Sequence, residues 1–241
     1  MQSHPLLCEA VPSAVLDDLD SNELGAFIKD QQHRQVGRYF EALVEFWLTK
    51  IGKVEMIERG LQVQDEKRTL GELDFVFRDE AGLLTHWETA VKFYLHHEGA
   101  FIGPNAADTL DRKVRHLKEH QIQLGRKAMP EIEKCELWMK GRLYYHPDDG
   151  ASVKQPEYVT NEHLRGIWIR ANELDWLNLS QGYYILEKPH WFTMPVSKEA
   201  LSGLQTREVL SQHFEASSRP VHLMREDGIA VFVVQDQWPD K

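Results

Sequence analysis

The sequence predicts an α/β fold with a mixed central sheet flanked by helices. Three observations predict it. Apolar residues recur at helical spacing in two separate stretches, one starting near Gln31 and one near Asn105. Three runs of strand character lie between them, and a fourth follows the second helix. The chain has 241 residues, 42% hydrophobic and 27% charged, enough for one well-buried core with an elaboration.

Residues before about Ser21 read as an irregular arm. From Gln31 to Ile51, Val36, Phe40, Leu43, Val44, Trp47 and Ile51 form one helical stripe, and Gly52 stops it. Val54 to Gln64 is the first strand. In the second, Glu72 to Phe77, Leu73, Phe75 and Phe77 face one way and Glu72, Asp74 and Val76 the other. Leu83 to Leu95 is a long third strand, and Gly99 to Pro104 reads as a loop. Asn105 with Asp108 has capping-box spacing and predicts the start of a second helix carrying Leu110, Val114, Leu117 and Leu124, which ends near Gly125. Cys135 to Tyr145 is the fourth strand. Beyond His146, strands are expected at Gly166 to Arg170, Tyr183 to Phe192, Val221 to Met224 and Ile229 to Val234, with a helix over Ser197 to Phe214. The resulting division is 1–147 as the core with its N-terminal arm and 148–241 as an α/β elaboration packed on it.

Composition limits the function classes. No stretch approaches the roughly 20 apolar residues that span a bilayer, and Met1 to Ala10 lacks the basic start and apolar block of a secretory signal. Cys8 and Cys135 are too few for a disulfide framework and read as reduced thiols, so a cytoplasmic protein with no membrane partner is expected. A net charge of −10 opposes a broad basic nucleic-acid surface but leaves room for a local patch.

The chemistry lies in charges embedded in strands. Asp74 sits in Gly-Glu-Leu-Asp-Phe-Val-Phe, and Lys92 in Ala-Val-Lys-Phe-Tyr-Leu. A charge in such a setting is costly unless it is paired, bound to metal or open to a cleft. Glu41 stands at the edge of the first helix's apolar stripe. Along the third strand Glu88, Ala90, Lys92 and Tyr94 share one face, and Trp87, Thr89, Val91 and Phe93 the other. If the second and third strands pair, Asp74, Glu88 and Lys92 open on one side of the sheet. Two carboxylates and an amine make a hydrolytic set, and hard oxygen ligands suit Mg²⁺ or Mn²⁺. The competing reading is an Asp74–Lys92 ion pair that only holds strand register.

Gly-Glu-Leu-Asp-Phe, followed between helices by a strand bearing Val-Lys, resembles the PD-(D/E)XK nuclease superfamily. Gly37-Arg38-Tyr39-Phe40-Glu41 is similar to the Gly-x-x-x-Glu of that superfamily's first helix. The likeness covers roughly Gln31 to Tyr145 and is closest to a bacterial family of unknown function placed in that superfamily. It implies a restriction-endonuclease-like core of helix, three strands, helix and strand. It further implies a metal-dependent phosphodiesterase acting on DNA or RNA, with Asp74 on the metal-binding aspartate, Lys92 on the catalytic lysine and Glu41 on the helix glutamate that assists the metal. One position departs. Ala90 stands where the superfamily has a carboxylate, and Glu88 lies two residues further back on the same face, about 13 Å of strand from Lys92. Either the glutamate has migrated, making Glu88 a ligand, or the site is inactive and the chain is a nuclease-fold module that binds nucleic acid or a protein.

Other polar groups are expected to be structural or solvent-facing. His96-His97-Glu98 reads as exposed loop, since adjacent histidines in a strand point to opposite faces. His116 and His120, at i, i+4, have zinc-like spacing but no evident third ligand, and read as surface. The second helix is locally basic through Arg112, Lys113, Arg115, Lys118, Arg126 and Lys127. This stretch suits either a phosphate backbone or plain solvation. The tryptophans of the C-terminal half read as core.

Overall fold

The computed structural model describes residues 21–31, 34–52, 54–65, 68–149, 153–193, 195 and 199–240. The N-terminal arm and Cys8 lie outside these residues. The fold is mixed α/β. Among the described residues it has α-helices α1 (Ser21–Gln31), α2 (Val36–Phe46), α3 (Leu110–His116), α4 (Ile122–Ala128) and α5 (Gly203–Ala216). The strands are β1 (Glu55–Asp65), β2 (Arg68–Arg78), β3 (Leu84–His97), β4 (Ala100–Ile102), β5 (Lys134–Tyr145), β6 (Arg165–Arg170), β7 (Gly182–Leu186), β8 (Leu201–Ser202), β9 (Val221–Arg225) and β10 (Ala230–Val234). The expected order of helix, three strands, helix and strand is present, with α1 added before it and β4 within it. No helix among the described residues is long and apolar enough to cross a membrane.

The described residues form two compact units. One comprises residues up to Val91 with Arg112–Lys140, and the other Lys92–Asp111 with residues from Gly141 onward. Strands β3 and β5 each give a first half to one unit and a second half to the other.

In the first unit β2 pairs antiparallel with both β1 and β3, and the β2–β3 register runs from Phe75↔Trp87 to Arg78↔Leu84. The expected pairing of the second and third strands is therefore present. One apolar layer joins α2 and the π-helical turn Trp47–Ile51 to the sheet through Val44, Leu48, Phe75, Phe77 and Trp87. There Trp87 stacks on Trp138 with ring centroids 4.2 Å apart. A second layer gathers Leu73, Val76, Leu84, Leu124 and Ile132. The strict alternation expected for Glu72 to Phe77 therefore breaks at Asp74: Leu73 packs with Val76 instead of with Phe75 and Phe77. At the break the Asp74 carboxylate takes the Thr89 N–H at 2.7 Å, a bond that a backbone carbonyl makes in a regular ladder.

In the second unit β5, β6 and β10 are parallel neighbours, and β10, β9, β7 and β8 continue antiparallel. Ile169, Leu174, Tyr183, Leu210, Leu223 and Val233 form its core under α5. Ser202 caps α5 through a capping box with Gln205; Ser197, the expected start of the helix, lies outside the described residues. Gly141 explains a close approach. It has φ +146, and a Cβ there would overlap the Lys92 carbonyl.

Further local expectations are corrected: the strand expected over Tyr183 to Phe192 ends at Leu186. Gly99–Pro104 is not simply a loop. Its β4 segment pairs with β3 at Leu95↔Ile102, His96↔Phe101 and His97↔Ala100. His96 and His97 consequently belong to a strand rather than an exposed loop: His96 is 9% exposed and its Nδ1 meets Asp149 at 2.9 Å. Asn105 does not cap a helix. Its side chain accepts from the Ala107 N–H and its carbonyl from the Asp108 N–H, closing a turn before α3 begins at Leu110. Trp168 and Trp238 are buried, as expected of core tryptophans, whereas Trp176 is exposed.

Candidate functional site

The first unit brings Glu88 and Glu41 into electrostatic range of Asp74. Strand β2 supplies Asp74, one residue past the Phe75↔Trp87 pair, and β3 supplies Glu88, one residue past it on the other strand. The half-buried Asp74 Oδ2 accepts from Thr89 N at 2.7 Å and from Thr89 Oγ1 at 3.0 Å, which leaves Oδ1 for another partner. Burial, then the Glu88 charge and, more weakly, that of Glu41, push the Asp74 carboxyl up to about 7, against the Thr89 hydrogen bonds that favour ionisation. Burial and the two neighbouring carboxylates thus favour its protonated form.

Glu88 is 3% exposed and engaged on both oxygens. His86 Nε2 lies 2.9 Å from Oε1, and Gln121 Nε2 donates to Oε2 at 3.0 Å. His86 is fully buried. Burial works to lower its pKa, but the neighbouring Cys135 thiol and Glu88 outweigh this and hold it up at about 9, so it serves as Glu88's counter-charge. The Cys135 thiol is in turn lowered by His86 and Arg126 against the effect of its own burial. Gly125 makes room for the imidazole, since a Cβ at that position would overlap His86 Nδ1.

Glu41 on α2 bonds Arg38 at 2.7 Å, and the same guanidinium reaches Glu72 at 2.9 Å. Arg38, with its hydrogen bond outweighing burial, holds the Glu72 carboxyl below its ordinary range. Lys92 opens the second unit. Its Nζ donates to Asp108 at 2.6 Å, with about a third of each side chain exposed, and Tyr94 also reaches Asp108 at 3.3 Å. The carboxylate that pairs with Lys92 is thus Asp108, and Asp74 is held by Thr89.

Sequence reasoning missed Thr89, His86, Gln121 and Asp108. A signal for Gln121 was present. It occupies the apolar stripe of its helix between Leu117 and Leu124, where a polar side chain needs a buried partner. Asp108 looked like half of a capping box, and nothing in β3 distinguished His86 from its neighbours.

His116 and His120 are exposed, as expected. Desolvation, then His120 and Lys113, lower the His116 pKa, while Glu88 acts weakly to raise it. Among the described residues no three His, Cys, Asp or Glu side chains form a ready metal-ligand group.

The fold and site define an α/β protein with two carboxylates on paired strands, the buried Glu88 and the half-buried Asp74, whose carboxyl is raised. The chain belongs to the family described as Domain of unknown function (DUF1853), whose profile matches residues 4–233. No curated protein and no solved structure matches it.

Proposed function

We propose that the chain carries a restriction-endonuclease-like core and is a metal-dependent phosphodiesterase acting on DNA or RNA. The supporting observation is the Asp74 carboxyl, pushed up to about 7 by burial and by the charges of Glu88 and Glu41, a repulsion that a divalent cation would relieve. The donor set fits Mg²⁺ or Mn²⁺. It consists of hard carboxylate oxygens, and Mg²⁺ binds through one or two of them while keeping several waters. Such a cation supplies Lewis-acid stabilisation of phosphate charge and an acidified water. Asp74 and Glu88 are the proposed ligands. Thr89 orients Asp74, while His86 and Gln121 orient Glu88. Glu41, steered by Arg38, assists from α2. Lys92 takes the catalytic lysine's part on the sequence pattern, with Asp108 as its present partner. The basic α3–α4 stretch suits a phosphate backbone.

One observation favours the second reading, a non-catalytic nuclease-fold module. Both Glu88 oxygens already have hydrogen-bond partners, and Ala90 stands at the usual carboxylate position. The experiment is a thermal melt with and without millimolar Mg²⁺ or Mn²⁺, run beside a cleavage assay on single- and double-stranded DNA and RNA. A metal-dependent rise in Tm and cleavage, both lost in Asp74→Asn, are expected. A Tm indifferent to metal and no cleavage of any substrate would overturn the phosphodiesterase reading in favour of the module.

A further inference from the structure

We propose that His116 and His120 form a two-imidazole site for a zinc-class divalent cation (Zn²⁺, Co²⁺ or Ni²⁺), separate from the oxygen-lined Asp74–Glu88 pair. The rings sit on one exposed helical surface with centroids 5.0 Å apart and planes tilted by 32°. Two imidazoles on one tetrahedral zinc, with Zn–N near 2.0–2.1 Å, place their ring centres about 5 Å apart.

The stronger observation concerns the tautomer of His120. Gln121 Nε2 donates to the Glu72 backbone carbonyl at 3.1 Å and to Glu88 Oε2 at 3.0 Å. A backbone carbonyl can only accept, so the amide has one orientation, and its Oε1 is the atom 3.2 Å from His120 Nδ1. An amide oxygen also only accepts, so Nδ1 carries the proton. In the neutral ring the lone pair then lies on Nε2, which is the ligand atom. Metal-binding histidines are oriented in this way, by an acceptor on the nitrogen that does not bind. The orienting chain runs back to Glu88, which is 3% exposed, so the interior sets the state of this exposed imidazole. The residues Leu117–Gln121 form a π-helical turn, a local departure that often accompanies functional sites.

Among the described residues no third His, Cys, Asp or Glu completes the set, so water or an incoming ligand takes the remaining positions. Imidazole nitrogen favours zinc-class ions over Mg²⁺, which keeps this site chemically distinct from the carboxylates.

The test is calorimetric titration of chelator-treated full-length protein with Zn²⁺ in excess Mg²⁺. Wild type is compared with His116→Ala, His120→Ala, Gln121→Met and Asp74→Asn, and urea melts verify that each variant is folded. The expected result is one Zn²⁺ site in wild type beyond the background of the other histidines. That site is absent in either histidine variant, weakened roughly 10–100-fold in Gln121→Met and kept in Asp74→Asn. An isotherm unchanged by either histidine substitution, or unchanged in folded Gln121→Met, overturns the proposal. Loss of the site in Asp74→Asn overturns it as well, because zinc would then occupy the carboxylate pair.

Discussion

Asp74→Asn tests the carboxylate pair through stability alone, without assuming any reaction. The Asp74 carboxyl rises from an ordinary 3.8 to about 7 in the fold, through burial first and the Glu88 charge second. Between those two values the native state holds a proton that the unfolded chain has released. Stability therefore falls as pH rises through this window, is greatest near and below pH 4, and is flat for this group above about 7. At about 1.4 kcal/mol for each pH unit the full loss is about 4 kcal/mol. Allowing for the part of the carboxyl still open to solvent, about 2–4 kcal/mol is expected. The amide of Asn keeps an oxygen for the Thr89 N–H and hydroxyl but does not titrate. The variant is thus expected to match wild type near pH 4 and to exceed it by about 2–4 kcal/mol at about pH 8 in the presence of chelator. Urea unfolding across that range is the assay. Parallel pH profiles for the two proteins, or a variant less stable at about pH 8, would refute the claim that Asp74 carries an uncompensated buried charge.

Glu88→Gln is expected to lower two titration midpoints together, that of His86 from about 9 and that of Asp74 from about 7, because the Glu88 charge raises both. NMR titration reads them, and unchanged midpoints would mean that the charge at Glu88 does not act on either group. Gly125→Ala places a methyl against the fully buried His86 ring, and a loss of about 1–3 kcal/mol in urea unfolding is expected. A neutral result would show that the helix shifts freely over β3. Lys92→Met removes a pair with Asp108 that is about one-third exposed, so a loss under about 1 kcal/mol is expected. A loss above about 3 kcal/mol would mark a buried pair instead.

Much of the architecture was legible from local periodicity. Apolar spacing marked α2, β2, β3, the α3–α4 stretch and β5, and the pairing of β2 with β3 follows from their shared burial. The prominence of Asp74, Lys92 and Glu41 was also legible, because a charge inside an apolar pattern stands out without any structure. The breaks in pattern were not. Regular alternation over Glu72 to Phe77 fails where the Asp74 side chain takes the Thr89 N–H in place of a backbone acceptor, and buried His96 lies where β4 pairs back on β3.

Sequence by itself determined the α/β class, most elements of the first half and the identity of the embedded charges, since these depend on spacing within ten or twenty residues. Only the tertiary structure decided which groups those charges meet. Lys92 finds Asp108, Asp74 finds Thr89, and Gln121 reaches back to Glu72 and Glu88. Such pairings depend on strand register and on how a helix settles over the sheet, and a one-residue slip in either would exchange every partner while leaving the pattern of apolar and charged residues unchanged.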